Sequence, residues 1–134
     1  MTPPRSESIP VRKDSDILLV RQLVRERAVE AGFGILNQTK ILTAASELGR
    51  NTVLHGEGGK VLIEGVERNG RRGLRLTFED EGPGIADLAL AMTDGFTTKR
   101  GMGLGLGGAK RLVNEFEVVS RVGEGTRVTV TQWA

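Results

Sequence analysis

The chain has 134 residues, and its 19 basic and 17 acidic side chains leave a formal net charge of +2, too even to mark a nucleic-acid or anionic-membrane binder. It has no cysteine and one histidine, which excludes disulfides and a Cys-based or His-rich metal site, and with five Phe and Trp and no Tyr no aromatic platform for stacking bases is evident. No apolar run approaches membrane-spanning length and the polar start carries no signal core, so a cytoplasmic protein is the expectation.

Residues 1–7 read as a loose arm, and Ser8 to Lys13 as a short strand with Ile9 and Val11 on one face. Asp14 is the predicted N-cap of a first helix. In it Ile17, Val20, Leu23, Val24 and Ala28 recur at helical spacing, and Gly32 and Gly34 end it. Asn37 is the predicted cap of a second helix running to about Leu54, with Ile41, Leu42, Ala45, Leu48 and Thr52 as its apolar stripe. Glu47 and Asn51 lie at the edge of that stripe, one turn apart on a shared face.

Lys60 to Glu67 alternates as a strand, Arg68 to Gly73 carries the Asn-Gly turn signal, and Leu74, Leu76 and Phe78 alternate up to Asp80. These two strands are predicted to form a hairpin with Asp80 at a strand tip. Ala86 to Met92 reads as a short helix and Thr93 to Arg100 as a loop. A third helix is predicted from about Gly103 to Asn114. Phe116 to Val122 and Thr126 to Thr131 follow as strands joined by Gly123-Glu124-Gly125. The order predicts an α/β two-layer sandwich, a mixed sheet with helices on one face, and a single domain over 1–134.

Three pieces carry chemistry. Asp80-Glu-Gly-Pro-Gly84 sets a carboxylate at a strand end, where it can accept a hydrogen bond from the exocyclic amine of adenine, with Gly82 and Gly84 turning the backbone sharply beside it. A plain Asp-Gly turn explains that stretch equally well when it is read alone. Gly101-Met-Gly103-Leu104-Gly105-Leu106 opens a helix, where unpaired N–H groups and the helix dipole favour phosphate. Each glycine costs about 1 kcal/mol in a helix relative to Ala, so a purely structural helix gains nothing from the run. Glu47 offers a carboxylate to an attacking hydroxyl, and the Asn51 amide oxygen suits Mg²⁺, which binds phosphates with few protein oxygens.

Together the pieces resemble the N, G1 and G2 boxes of the GHKL ATPase/kinase superfamily, which includes gyrase, Hsp90, histidine kinases and MutL. Glu47-Leu-Gly-Arg-Asn51-Thr-Val-Leu-His55-Gly56 is similar to the N box, Asp80 to Gly84 to G1, and Gly101 to Leu106 to G2. The length narrows the resemblance to single-domain serine/threonine kinases of the anti-sigma-factor group, above all the stressosome switch kinases (RsbT-type). The resemblance implies ATP and Mg²⁺ as cofactors, with Glu47 as catalytic base and Asn51 as metal ligand. It implies Asp80 reading adenine, Gly82 and Gly84 under the base, Gly101, Gly103, Leu104, Gly105 and Leu106 about the phosphates, and Thr126 holding adenine through water. Lys99 or Arg100 in the lid is placed by charge to meet the γ-phosphate. The implied partners are STAS-domain substrates and a PP2C-type phosphatase, with no nucleic acid and no membrane. The alternative is an anti-sigma factor that sequesters a sigma factor in a nucleotide-dependent way. His55 is not a phosphoacceptor on this reading, because no dimerising helical hairpin carries it.

Overall fold

In the computed structural model, which describes residues 6–54, 57–84 and 105–134, the chain runs β1 (Ser6–Val11), α1 (Asp14–Glu30), α2 (Ile35–Leu54), β2 (Gly59–Arg68), β3 (Arg71–Asp80), α3 (Gly105–Leu112), β4 (Glu115–Arg121) and β5 (Gly125–Trp133). The predicted 86–92 helix and 93–100 loop lie outside the described residues, as does the arm up to residue 5. Ser6 and Glu7, expected in that arm, belong to β1 instead. They pair with Glu64 and Ile63, and Glu7 accepts hydrogen bonds from the Arg27 guanidinium of α1.

The five strands are ordered β1-β2-β3-β5-β4. Every neighbouring pair is antiparallel, so the described sheet is antiparallel where a mixed one was expected. The cause is connectivity. Two successive helices between β1 and β2 give three reversals of the chain, an odd number that sets β2 against β1, and the β2–β3 and β4–β5 links are hairpins. Asn69 (φ 53°) and Gly70 (φ 78°) form the two-residue β2–β3 turn with positive φ at both positions, as the Asn-Gly signal predicts.

One face of the sheet supplies Ile9, Val11, Val61, Ile63, Leu74, Leu76, Phe78, Val128 and Val130 to the core. Against it lie Val20, Val24 and Ala28 of α1, Ile41, Ala44, Ala45 and Leu48 of α2, and Leu106 and Ala109 of α3. The helices therefore cover one face, as the two-layer expectation requires. The opposite face is polar, with Arg75, Thr77, Glu79, Glu117, Arg127 and Thr129 lining an open groove.

Three boundaries differ from the sequence reading, each for a local reason. Asp14 is the first residue of α1 rather than its cap. The carboxylate that reaches back is that of Asp16, whose Oδ2 accepts the N–H groups of Arg12 at 2.9 Å and Lys13 at 3.3 Å. Helix α2 has already begun at Ile35, so Asn37 caps nothing. Its Oδ1 accepts from Gln132 Nε2 at 3.0 Å. Helix α3 ends at Leu112 because the Asn114 N–H donates to Gln132 Oε1 and the Asn114 Oδ1 accepts from the Trp133 N–H, both at 2.8 Å. Gln132 is buried, and its amide ties α2, β5 and the end of α3 together.

At the same end of the sheet Trp133 Nε1 donates to Glu115 Oε2 at 2.7 Å, Arg68 Nη1 lies 3.0 Å from that oxygen, and the Arg68 guanidinium sits 4.8 Å over the Trp133 ring. The Trp133 hydrogen bond, aided by the Arg68 charge, holds the Glu115 carboxyl below its ordinary range.

Candidate functional site

The site grows from the last row of the sheet on its helix-covered side. Gly59 of β2, Asp80 of β3, Thr126 of β5 and Ser120 of β4 stand in register across four strands. Alternation puts them in phase with Val61, Phe78, Val128 and Val118, so all four face the helices. Apolar rows fill the middle of this face, and the terminal row turns polar.

The Asp80 carboxylate is held on one side only. Its Oδ1 accepts the Gly82 N–H at 2.9 Å and the Thr126 N–H at 3.2 Å. Its Oδ2 has no hydrogen-bond partner among the described residues. A half-buried carboxylate fixed through one oxygen presents the other as a directed acceptor. This is the geometry needed to read an amine.

Backbone packing locks the loop after β3 in place. Gly123 N–H donates to the Pro83 carbonyl at 2.8 Å, which docks the loop on the β4–β5 turn. Gly84 has φ +78°, and a Cβ there would stand 2.2 Å from the Arg121 carbonyl oxygen. Gly125 has φ +93°, and its Cβ would stand 2.1 Å from the Asp80 carbonyl oxygen. Both positions need glycine for close backbone approach as well as for φ. Gly84, expected beneath the base, thus has its open side against the hairpin backbone. Gly82 is buried beside Asp80.

Helix α2 supplies the second group. Leu48, Gly49 and Thr52 are buried in the core, which leaves Glu47 and Asn51 on the flank. The Glu47 side chain is only 14% exposed, and its nearest cation among the described residues is Arg50 Nη1 at 3.8 Å, a loose contact. Asn51 is half-buried. The carbonyl of Thr52 accepts the Gly58 N–H at 2.8 Å, and the next residue, Gly59, pairs with Asp80. The end of α2 and the tip of β3 are thereby joined at one end of the sheet.

Helix α3 supplies the third. It begins at Gly105, packs against α2 and buries Leu106, Gly107, Gly108 and Ala109. Leu106 therefore gives its side chain to the core and has only its backbone to offer a phosphate. Lys99, Gly101, Gly103 and Leu104 lie outside the described residues. Of the candidate residues, the described ones thus group at the tip of the sheet (Asp80, Gly82, Gly84, Thr126), on the flank of α2 (Glu47, Asn51) and at the start of α3 (Gly105, Leu106). Ser120, absent from the sequence reading, joins them: its Oγ lies 2.7 Å from Thr126 Oγ1. Its signal was present, since a hydroxyl follows Phe116 and Val118 in the inward phase of β4.

Residues 36–133 match the family described as histidine kinase-, DNA gyrase B-, and HSP90-like ATPase. The chain is 45% identical over 125 residues to the serine/threonine-protein kinase RsbT of Bacillus subtilis (strain 168), covering 93% of this chain and 94% of that one. It is 36% identical over 126 residues to the anti-sigma F factor of Thermoanaerobacter sp. (strain X514), covering 90% and 87%. In fold it is similar to a solved Mycobacterium tuberculosis chain containing RsbU and RsbW domains, with a TM-score of 0.66 at 24% identity over 98% of this chain and 32% of that longer one. No helix among the described residues is long and apolar enough to cross a membrane. The chain belongs to the histidine kinase-, DNA gyrase B-, and HSP90-like ATPase family.

Proposed function

We propose that the chain is a protein serine/threonine kinase that transfers the γ-phosphoryl group of ATP to a partner protein and acts as a partner switch. The observation that carries the nucleotide reading is the one-sided anchoring of Asp80. With Oδ1 held by two backbone N–H groups, Oδ2 is aimed to accept from the exocyclic amine of adenine. Guanine would set a carbonyl oxygen there and be repelled. Thr126, next to Asp80 in the sheet, adds a hydroxyl to the base edge.

Glu47 would accept the proton of the acceptor hydroxyl as that oxygen attacks the γ-phosphorus and the bond to the ADP oxygen breaks. Its shielding by the helix flank keeps bulk water from competing for it. The donors on this flank are oxygens, the Asn51 amide and the Glu47 carboxylate, and they fit a hard cation. Asn51 would hold Mg²⁺, which supplies neutralisation of phosphate charge. The backbone at the start of α3, with Gly101, Gly103 and Leu104 before it, would cradle the phosphates, and Lys99 would meet the γ-phosphate.

The 45% identity to a serine/threonine-protein kinase supports phosphoryl transfer to a protein; the substrates of this reading are STAS-domain proteins, and after their phosphorylation the kinase would bind and activate a PP2C-type phosphatase. The identity to an anti-sigma F factor favours a second reading, sequestration of a sigma factor under nucleotide control. Incubation with labelled ATP, Mg²⁺ and each candidate partner separates them. A labelled STAS protein supports the switch kinase. Stable capture of a sigma factor, with no STAS protein labelled, supports the anti-sigma factor.

A further inference from the structure

Arg50 stands on the flank of α2, about one turn after Glu47 and next to Asn51. Leu48, Gly49 and Thr52 hold the other side of the helix in the core, which turns this side chain outward. It is 49% exposed, and its Nη1 lies 3.8 Å from Glu47 Oε1. That is beyond hydrogen-bond distance. Among the described residues the guanidinium makes no hydrogen bond and no other ion pair. The rigid fork of N–H donors therefore stands unused beside the carboxylate read as the base.

A half-exposed ion pair of this kind on a helix is weak, so little holds the guanidinium where it is. A hydroxyl hydrogen-bonded to Glu47 Oε1 stands within about 6.5 Å of Arg50 Nη1. Rotation about the long arginine stem closes such a gap. When Glu47 takes the hydroxyl proton, its carboxylate becomes neutral and no longer attracts the cation. In the same step the acceptor oxygen gains a phosphoryl group that carries about −1.5 to −2 of charge. Arg50 thus loses one anionic partner as a stronger one arises beside it. Its planar fork fits phosphate oxygens through paired N–H bonds.

We propose that Arg50 is a catalytic residue that passes from the Glu47 carboxylate to the transferring phosphoryl group and stabilises its charge on the acceptor side, an inference that rests on reading Glu47 as the base. The acceptor O–H bond breaks and its proton goes to Glu47. The bond from that oxygen to the γ-phosphorus forms, and the phosphorus–oxygen bond to ADP breaks with its electron pair left on ADP. Arg50 gives up no proton and contributes hydrogen bonds and charge alone.

The test compares Arg50→Ala and Arg50→Lys with wild type. Alanine favours a helix and the position is half exposed, so the fold is retained, which urea unfolding checks. Three quantities are measured with a STAS-domain partner. They are the single-turnover rate at saturating Mg-ATP and partner, the dissociation constants of Mg-ATP and partner, and the affinity for ADP, Mg²⁺ and aluminium fluoride, whose fluoride complex stands in for the phosphoryl group in flight. Loss of a hydrogen bond to a charged group predicts that Ala lowers the rate about 10- to 150-fold and weakens the fluoride complex by a similar factor. Mg-ATP and the partner bind as to wild type. Lysine recovers part of both losses, as a cation without the fork.

A wild-type rate in Arg50→Ala overturns the proposal, as does a lysine variant no better than alanine. So does a loss confined to partner affinity, which marks a docking contact, or an equal loss for Mg-ATP and the fluoride complex, which marks a ground-state contact. A slowed rate with the fluoride complex untouched also overturns it, because Arg50 then only positions Glu47. A wild-type rate in Glu47→Gln removes the underlying reading as well. A loss in Glu47→Gln with Arg50→Ala at the wild-type rate removes this inference alone.

Discussion

Asp80→Asn alters one side of a carboxyl group and leaves the other intact. The amide oxygen can still take the Gly82 and Thr126 N–H groups that Oδ1 holds at 2.9 and 3.2 Å. The amide nitrogen then replaces Oδ2 and meets the amine of adenine donor to donor. Losing a hydrogen bond to a charged group costs about 1.5–3 kcal/mol, or about a 10- to 150-fold rise in the dissociation constant for ATP at 1.4 kcal/mol per tenfold. Stability should hardly change. Asp80→Ala differs, because it strips the acceptor from both N–H groups, at a cost of about 1–3 kcal/mol of folding free energy. Titration calorimetry with Mg-ATP gives the first quantity and urea unfolding the second. The reasoning is refuted if the Asn variant binds ATP as the wild type does, or if Asn and Ala destabilise the fold equally.

Glu47→Gln keeps size and helix propensity while removing the base, so phosphoryl transfer should fall about 10²- to 10⁴-fold with ATP affinity nearly unchanged; single-turnover kinetics with a labelled partner decides this. Gly125→Ala adds a Cβ 2.1 Å from the Asp80 carbonyl oxygen at φ +93°, and strain plus overpacking should cost roughly 2 kcal/mol or more. Gly70→Ala, with φ +78° and no atom within 4 Å, carries strain alone and should lose less in the same denaturant titration. Glu115 has a folded pKa below its unfolded one, so its stabilisation is complete above the unfolded value and fades as pH falls through the folded one. With its side chain 41% exposed, that contribution stays below about 1 kcal/mol. Wild type should therefore melt above Glu115→Gln at pH 7, with the difference shrinking as pH falls below the ordinary carboxylate range.

The elements most legible in the sequence were those whose local chemistry and tertiary role agree. Asn69-Gly70 forms the turn that its conformational freedom predicts, and the alternation of Leu74, Leu76 and Phe78 marks the buried face of β3. Sequence reasoning failed where a polar side chain chose a distant partner over a local one. Asn37 has the chemistry of a cap, but its amide serves Gln132, a residue 95 positions away that no local pattern joins to it. Asp14 was the expected cap, yet the N-cap is Lys13 and the carboxylate that reaches back is that of Asp16 in the first turn, which only the path of the chain into α1 decides. The site was legible as motifs because Asp80, Glu47 and Asn51 fall at element ends and edges that periodicity can place. The one-sided anchoring of Asp80 was not, since it depends on Thr126, 46 residues further on. Ser120 was missed for the same reason: its partner lies across a strand pair, and only its polarity in an apolar phase betrayed it.

The central claim is transfer of the ATP γ-phosphate to a protein hydroxyl. The most direct test incubates the chain with γ-labelled ATP, Mg²⁺ and STAS-domain partners, then treats the labelled protein with acid. Acid-stable label on a partner serine or threonine, lost with Glu47→Gln, is the predicted result. Acid-labile label on histidine, or no label on any partner while the folded chain holds ATP, contradicts it.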